Sequence, residues 1–277
     1  MKASSCDRHK SILLELFVVS NFAFLSLDIY LAHSVNRFRH QAEWIPFVFS
    51  LAAFLVLAAA LACRHRRHGT AFFNQAGTLL GYGSILVGVS GLLFHLHSQF
   101  FQRWTLDSLV YTAPFAAPLA YCGLGFLLLL NRMVPAEDPT WGSWVIFFAL
   151  GGFFGNFVLS LGDHAQNGFF YDSEWIPVAG SAIAVGFLTV ALFERDRKFL
   201  RLCLAALAIQ ALIGVAGFAF HLAANVNGIS SSAYENFIHG APVLAPLLFV
   251  NLALLGALGL IDVRQADEIA GYRSLSE

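Results

Sequence analysis

The sequence predicts an all-α integral membrane protein, with eight transmembrane helices arranged as two parallel four-helix-bundle repeats and both termini cytoplasmic. Three observations predict it. Only 12% of the 277 residues are charged, while 58% are hydrophobic and the mean hydropathy is +0.68. A soluble domain carries about 25% charged residues. Second, the apolar residues gather into eight stretches near the roughly 20 residues a helix needs to span a bilayer. Third, one half of the chain repeats the pattern of the other. This composition excludes a disordered chain and an ordinary cytosolic enzyme. The formal net charge of −1 gives no field to attract nucleic acid.

The stretches run over 11–33, 44–63, 76–97, 108–130, 141–163, 175–193, 199–222 and 237–261. None alternates as a barrel strand would, and Leu, Ala, Phe and Gly dominate, so helices satisfy the backbone. The first follows a basic ten-residue leader and exceeds a signal-peptide core, so it is expected to stay as an anchor. Odd-numbered stretches end in polar, His-bearing loops and even-numbered ones end near basic residues. On this threading Lys2, Arg8, Lys10, Arg64, Arg66, Arg67, Arg132, Arg195, Arg197, Lys198, Arg201, Arg264 and Arg273 share one side, and only Arg37, Arg39 and Arg103 the other. The positive-inside rule makes the first side cytoplasmic. The expected location is the inner (cytoplasmic) membrane of a cell, with the opposite face periplasmic.

The duplication sets the domain organisation. Residues 31–46 align without gaps on 162–177 at an offset of 131, and seven of sixteen pairs are identical. His33, Asn36 and Phe38 match His164, Asn167 and Phe169. Glu43-Trp44-Ile45-Pro46 matches Glu174-Trp175-Ile176-Pro177. At an offset of 126, Gly88, Gly91, Phe94 and His95 match Gly214, Gly217, Phe220 and His221. At 128, Ala113-Pro114 and Ala117-Pro118 match Ala241-Pro242 and Ala245-Pro246. The expected divisions are a tail (1–10), a first four-helix repeat (11–132), a linker (133–140), a second repeat (141–262) and a tail (263–277). Four spans per repeat make the repeats parallel, each an up-down-up-down bundle.

The retained polar residues fall at the outer helix ends. His33 and His164 close the first helix of each half, and His95 and His221 close the third. In such a bundle these helices are diagonal and run the same way, so each pair of imidazoles ends at one depth, placed to ligate a metal or a haem between them. Gly88, Gly91 and His95 share a helix face, as do Gln210, Gly214, Gly217 and His221. The glycines are read either as space for a flat macrocycle or as small residues that let helices approach. Glu43 and Glu174 suit a helix N-terminus. Alternatively they lean over the histidines as ligands, hydrogen-bond acceptors or proton carriers. Asp107 with Tyr111, and Glu235 with His239, are i, i+4 pairs at the expected start of the fourth helix of each half, and His239 is a further candidate ligand. Asp163, in a stripe with Asn156 and Ser160, has no acidic counterpart and is a candidate catalytic group. Asn21 and Asp28 share a face of the first helix.

His40, His65, His68 and His97 are read as solvated, with His65 and His68 facing anionic headgroups. Cys6, Cys63, Cys122 and Cys203 show no metal spacing and suggest neither disulfides nor a thiolate site. No Walker loop, nucleophile elbow, His-Glu-x-x-His or Cys-x-x-Cys-His occurs. The expected function is therefore a metal- or haem-binding redox protein, carrying haem b or a non-haem iron or copper. It would work with a periplasmic redox partner or a quinone. The alternatives are a transporter or channel, and a non-catalytic subunit or assembly factor of a larger membrane complex. In general layout (eight spans, two four-helix halves, His near the outer face) the chain resembles haem A synthases. It lacks that family's local sequence patterns, and its histidines close odd-numbered helices.

Overall fold

A computed structural model describes residues 5–64 and 69–274, and no strand occurs among them. Lys2 and the cluster His65, Arg66, Arg67 and His68 lie outside the described residues, as do the side chains of Cys6, Arg8 and Arg273.

The main helices are α1 (Ser5–Ser34), α2 (Trp44–Cys63), α3 (Gly69–Ser98), α6 (Leu119–Met133), α7 (Trp141–Gln166), α8 (Trp175–Ala191), α9 (Arg197–Val226) and α11 (Leu247–Ser274). Three short helices lie between them: α4 (Phe100–Arg103), α5 (Leu106–Val110) and α10 (Ala233–His239). Seven of the main helices are long and apolar enough to cross a bilayer, as in a multi-pass membrane protein. Their outward faces stay apolar: Leu79, Leu86, Leu212 and Phe220 are all more than 60% exposed. Lipid, not water, suits such a surface.

The fourth apolar stretch is not one helix. α5 ends at Val110, and the chain turns through Pro114 and Pro118 before α6 begins. Each proline lacks an N–H and disfavours helix at the alanine before it, Ala113 and Ala117. α6 is about 22 Å long at 1.5 Å per residue, short of the roughly 30 Å hydrocarbon core. Pro242 and Pro246 act in the same way ahead of α11, so the stretch expected from 237 becomes a helix only at Leu247. Asp107 with its C-cap Tyr111, and Glu235–His239, therefore belong to the short helices α5 and α10, not to the long ones.

α1, α2, α3 and α6 pack in a ring, each against its neighbours, and α7, α8, α9 and α11 do the same. Within each ring the first and third helices are diagonal, which is what a metal between their ends requires. Sequence-matched positions are buried alike: Ser50 and Ser181, Ala53 and Ala184, Leu57 and Leu188, Ala60 and Ala191. The two halves meet through α1, α5 and α6 on one side and α7, α10 and α11 on the other. On this seam Asn251 donates a 3.1 Å hydrogen bond to Asn21.

At the opposite end from the histidines, Arg132 grips Glu15 with two hydrogen bonds of 2.6 and 2.7 Å. Asn131 donates to the same carboxylate at 2.8 Å, and the guanidinium lies 3.8 Å over the Phe73 ring. Glu15 is fully buried. A charge at that depth is tolerable because every oxygen is satisfied. Asp262 pairs with Lys10, tying α11 to the start of α1. In the linker, hydrogen bonds from the Thr140 hydroxyl and backbone N–H hold the Asp138 carboxyl below the usual carboxylate range.

Candidate functional site

The chain leaves α1 through a bend that is repeated after α7. The N–H of Phe38 returns to the carbonyl of His33, and that of Phe169 to the carbonyl of His164. Four matched positions there, Arg37 and Phe38 with Gly168 and Phe169, all have positive φ. For phenylalanine this conformation is strained and needs surrounding support. Stacking supplies it: Phe38 lies on Trp44 at 4.2 Å between ring centres, and Phe169 on Trp175 at 3.8 Å. One 3-10 turn then follows in each half, Gln41–Glu43 and Asp172–Glu174, and delivers a glutamate opposite the histidine.

Neither glutamate caps its helix with a side-chain hydrogen bond. Both turn toward the imidazoles instead. Glu43 Oε2 is 4.0 Å from His33 Nδ1, and Glu174 Oε2 is 3.5 Å from His164 Nδ1. Both Oε2 atoms are buried and accept no hydrogen bond. A buried carboxylate oxygen without a donor is costly, and here it occurs twice at matched positions.

The second histidine of each pair is held differently. His95 Nδ1 lies 2.8 Å from the Pro114 carbonyl, and His221 Nδ1 lies 2.9 Å from that of Pro242. Proline's carbonyl can only accept, so Nδ1 carries the proton and Nε2 is left as a lone pair. The loops that present these carbonyls are pinned to the ends of α3 and α9. Ser98 accepts from the Ala113 N–H at 3.1 Å, and Asn225 from the matched Ala241 N–H at 2.8 Å. The rings of His33 and His95 stand 6.3 Å apart, edge to face. His164 and His221 are likewise within electrostatic range of each other.

Among the described residues no three His, Cys, Asp or Glu side chains converge tightly enough to hold a metal ion as they stand. Each half offers two imidazoles and a nearby carboxylate.

The glycines do not open a slot for a macrocycle. A Cβ on Gly91 would meet Pro118 Cβ at 2.8 Å, and one on Gly217 would meet Pro246 Cβ at 2.9 Å. On Gly88 it would meet Cys122 Sγ at 2.6 Å, and on Gly214 the Pro246 carbonyl at 2.7 Å. These glycines let α3 approach α6 and α9 approach α11. The macrocycle reading placed haem in space that the matched Ala-Pro segments fill.

The other candidates are scattered. His239 is 56% exposed and pairs with Glu235 at 3.3 Å. Asp163 belongs to the second half in sequence, yet it lines a small cavity of about 20 Å³ with Pro114 and Thr112 of the first. Asn156 is buried with its Nδ2 unpartnered. Cys122 and Cys203 donate weakly to the carbonyls of Ile85 and Phe187 and pack as small residues.

No protein-family model, curated protein or solved structure matches the chain.

Proposed function

We propose that this chain is a membrane protein of two parallel four-helix repeats, with eight membrane-crossing segments and cytoplasmic termini. Each repeat binds one redox-active transition-metal ion at its periplasmic end. The ion sits between His33 and His95 in the first repeat and between His164 and His221 in the second. Glu43 and Glu174 complete each site, either by accepting from the histidine Nδ1 or by moving onto the ion. The ions exchange electrons with a partner on the periplasmic side.

The observation that carries this reading is the pair of buried, unbonded carboxylate oxygens, each facing a histidine. Two further features support it. Backbone carbonyls of Pro114 and Pro242 fix the tautomer that leaves Nε2 free, the usual arrangement behind a metal-bound imidazole. Imidazole with carboxylate suits iron, copper or zinc rather than magnesium or calcium. Because prolines occupy the glycine faces, a bare ion fits these residues better than haem b.

The test is elemental analysis with an optical spectrum of the detergent-purified protein. Two equivalents of copper or iron per chain are expected, falling to one in His95→Ala or His221→Ala. A Soret band would replace the bare ion with haem. Metal-free protein that stays folded and takes up neither metal would end the proposal.

A further inference from the structure

We propose that the groove between α8 and α9 is a binding site for an apolar aromatic ring bearing a hydroxyl, a phenol or hydroquinone dissolved in the bilayer. The groove measures about 400 Å³ and runs from Ile176 and Ile213 to Phe187 and Leu202. Its rim residues Ile183, Leu202 and Ile209 are each about half exposed, so it opens toward lipid. Its floor holds one polar residue. Gln210 is only 2% exposed, and its Oε1 atom is buried without a hydrogen-bond partner. That oxygen faces α8, where a Cβ on Gly180 would stand 2.9 Å from it.

The first half shows what such a space accepts. In the shared helix register Gly180 corresponds to Phe49, and Gln210 to Ser84. The Phe49 ring stands at the position of Gly180, against which the second half brings only the ends of the Gln210 and Ile213 side chains. It packs edge-on against Phe22 and Tyr121 at 6.1 and 6.0 Å, and a Cβ on Gly83 would meet it at 3.1 Å. Ser84 is satisfied, donating to the Tyr121 carbonyl at 2.7 Å. The second half has Gly180 in place of the ring and an unsatisfied acceptor in place of the serine. An acyl chain would fill the volume and leave the oxygen orphaned, at the usual cost of a buried polar group. A ring with a hydroxyl supplies both missing parts. The site is separate from the proposed metals, because none of those histidines or glutamates lines the groove.

The test uses 4-nonylphenol and nonylbenzene as probes, with binding measured by calorimetry on the full chain in detergent. The wild type should bind the phenol about tenfold more tightly than the hydrocarbon, the worth of one buried hydrogen bond. Gln210→Leu should abolish that difference. Gly180→Phe with Gln210→Ser, which rebuilds the first half's pair and takes the Gln210 end out of the new ring's path, should bind neither probe while keeping its metal content. Equal affinity of the wild type for the two probes would overturn the proposal, as would undiminished phenol binding by the folded double variant. Should the double variant fail to fold, the comparison of probes in the wild type and Gln210→Leu decides alone.

Discussion

Glu174 Oε2 stands 3.5 Å from His164 Nδ1, buried and without a hydrogen bond, and Glu43 repeats the relationship with His33 at 4.0 Å. A carboxylate behind a metal-bound imidazole orients the ring and raises its basicity. Glu43→Gln and Glu174→Gln should each weaken metal binding at their own site by about 10- to 100-fold, leaving the other site unchanged. Titration of the metal-stripped protein reads this directly. Unchanged affinity at both sites would return the glutamates to a purely structural role.

The glycine faces make a contrasting prediction. Gly88→Ala and Gly214→Ala push a methyl into Cys122 and Pro246. Overpacking of this kind costs about 1–3 kcal/mol. Both variants should lower the unfolding temperature in detergent, while the folded fraction keeps its full metal content. Loss of metal without loss of stability would restore the glycines to the site.

The Glu15–Arg132 pair lies at the far end, and its role is structural. Arg132→Ala leaves a fully buried carboxylate without its partner and should cost about 3–5 kcal/mol. Replacing both residues, with Glu15→Leu and Arg132→Met, should recover most of that loss. Thermal unfolding of the three proteins checks it, and metal content per folded chain should not change.

Orientation is open to chemical labelling. In sealed right-side-out vesicles a membrane-impermeant thiol reagent should modify Ser230→Cys, in the loop between α9 and α10. It should reach Cys6 only after the vesicles are opened. Labelling in the reverse order would invert the topology and place the histidines at the cytoplasmic face.

Much of this arrangement is legible in the residues themselves. The offset of 131 ties His33 and Glu43 to His164 and Glu174, and up-down packing alone puts His95 beside His33. The Ala-Pro matches are also visible, but their meaning is not. Periodicity shows that Gly91 shares a face with His95, yet only coordinates show Pro118 filling that face. The Pro114 carbonyl that holds His95 is a backbone atom and leaves no mark in side-chain patterns. The left-handed bend at Phe38 is hidden because phenylalanine gives no turn signal, and its support is the stack on Trp44. Glu15 and Arg132 are 117 positions apart and sit in or beside apolar runs. Two opposite charges at one depth were the available clue to them. The fourth and eighth spans start late because hydropathy counts proline as part of an apolar run, whereas the backbone cannot stay helical through it.

The most direct test is X-ray absorption at the metal edge of the loaded protein. The account predicts imidazole scattering from two histidines per ion, with metal–nitrogen distances near 2.0 Å, and in His33→Ala the same two-histidine signal from the one ion left at the second site. A spectrum without imidazole, or one with the four equal nitrogens of a porphyrin, would contradict it.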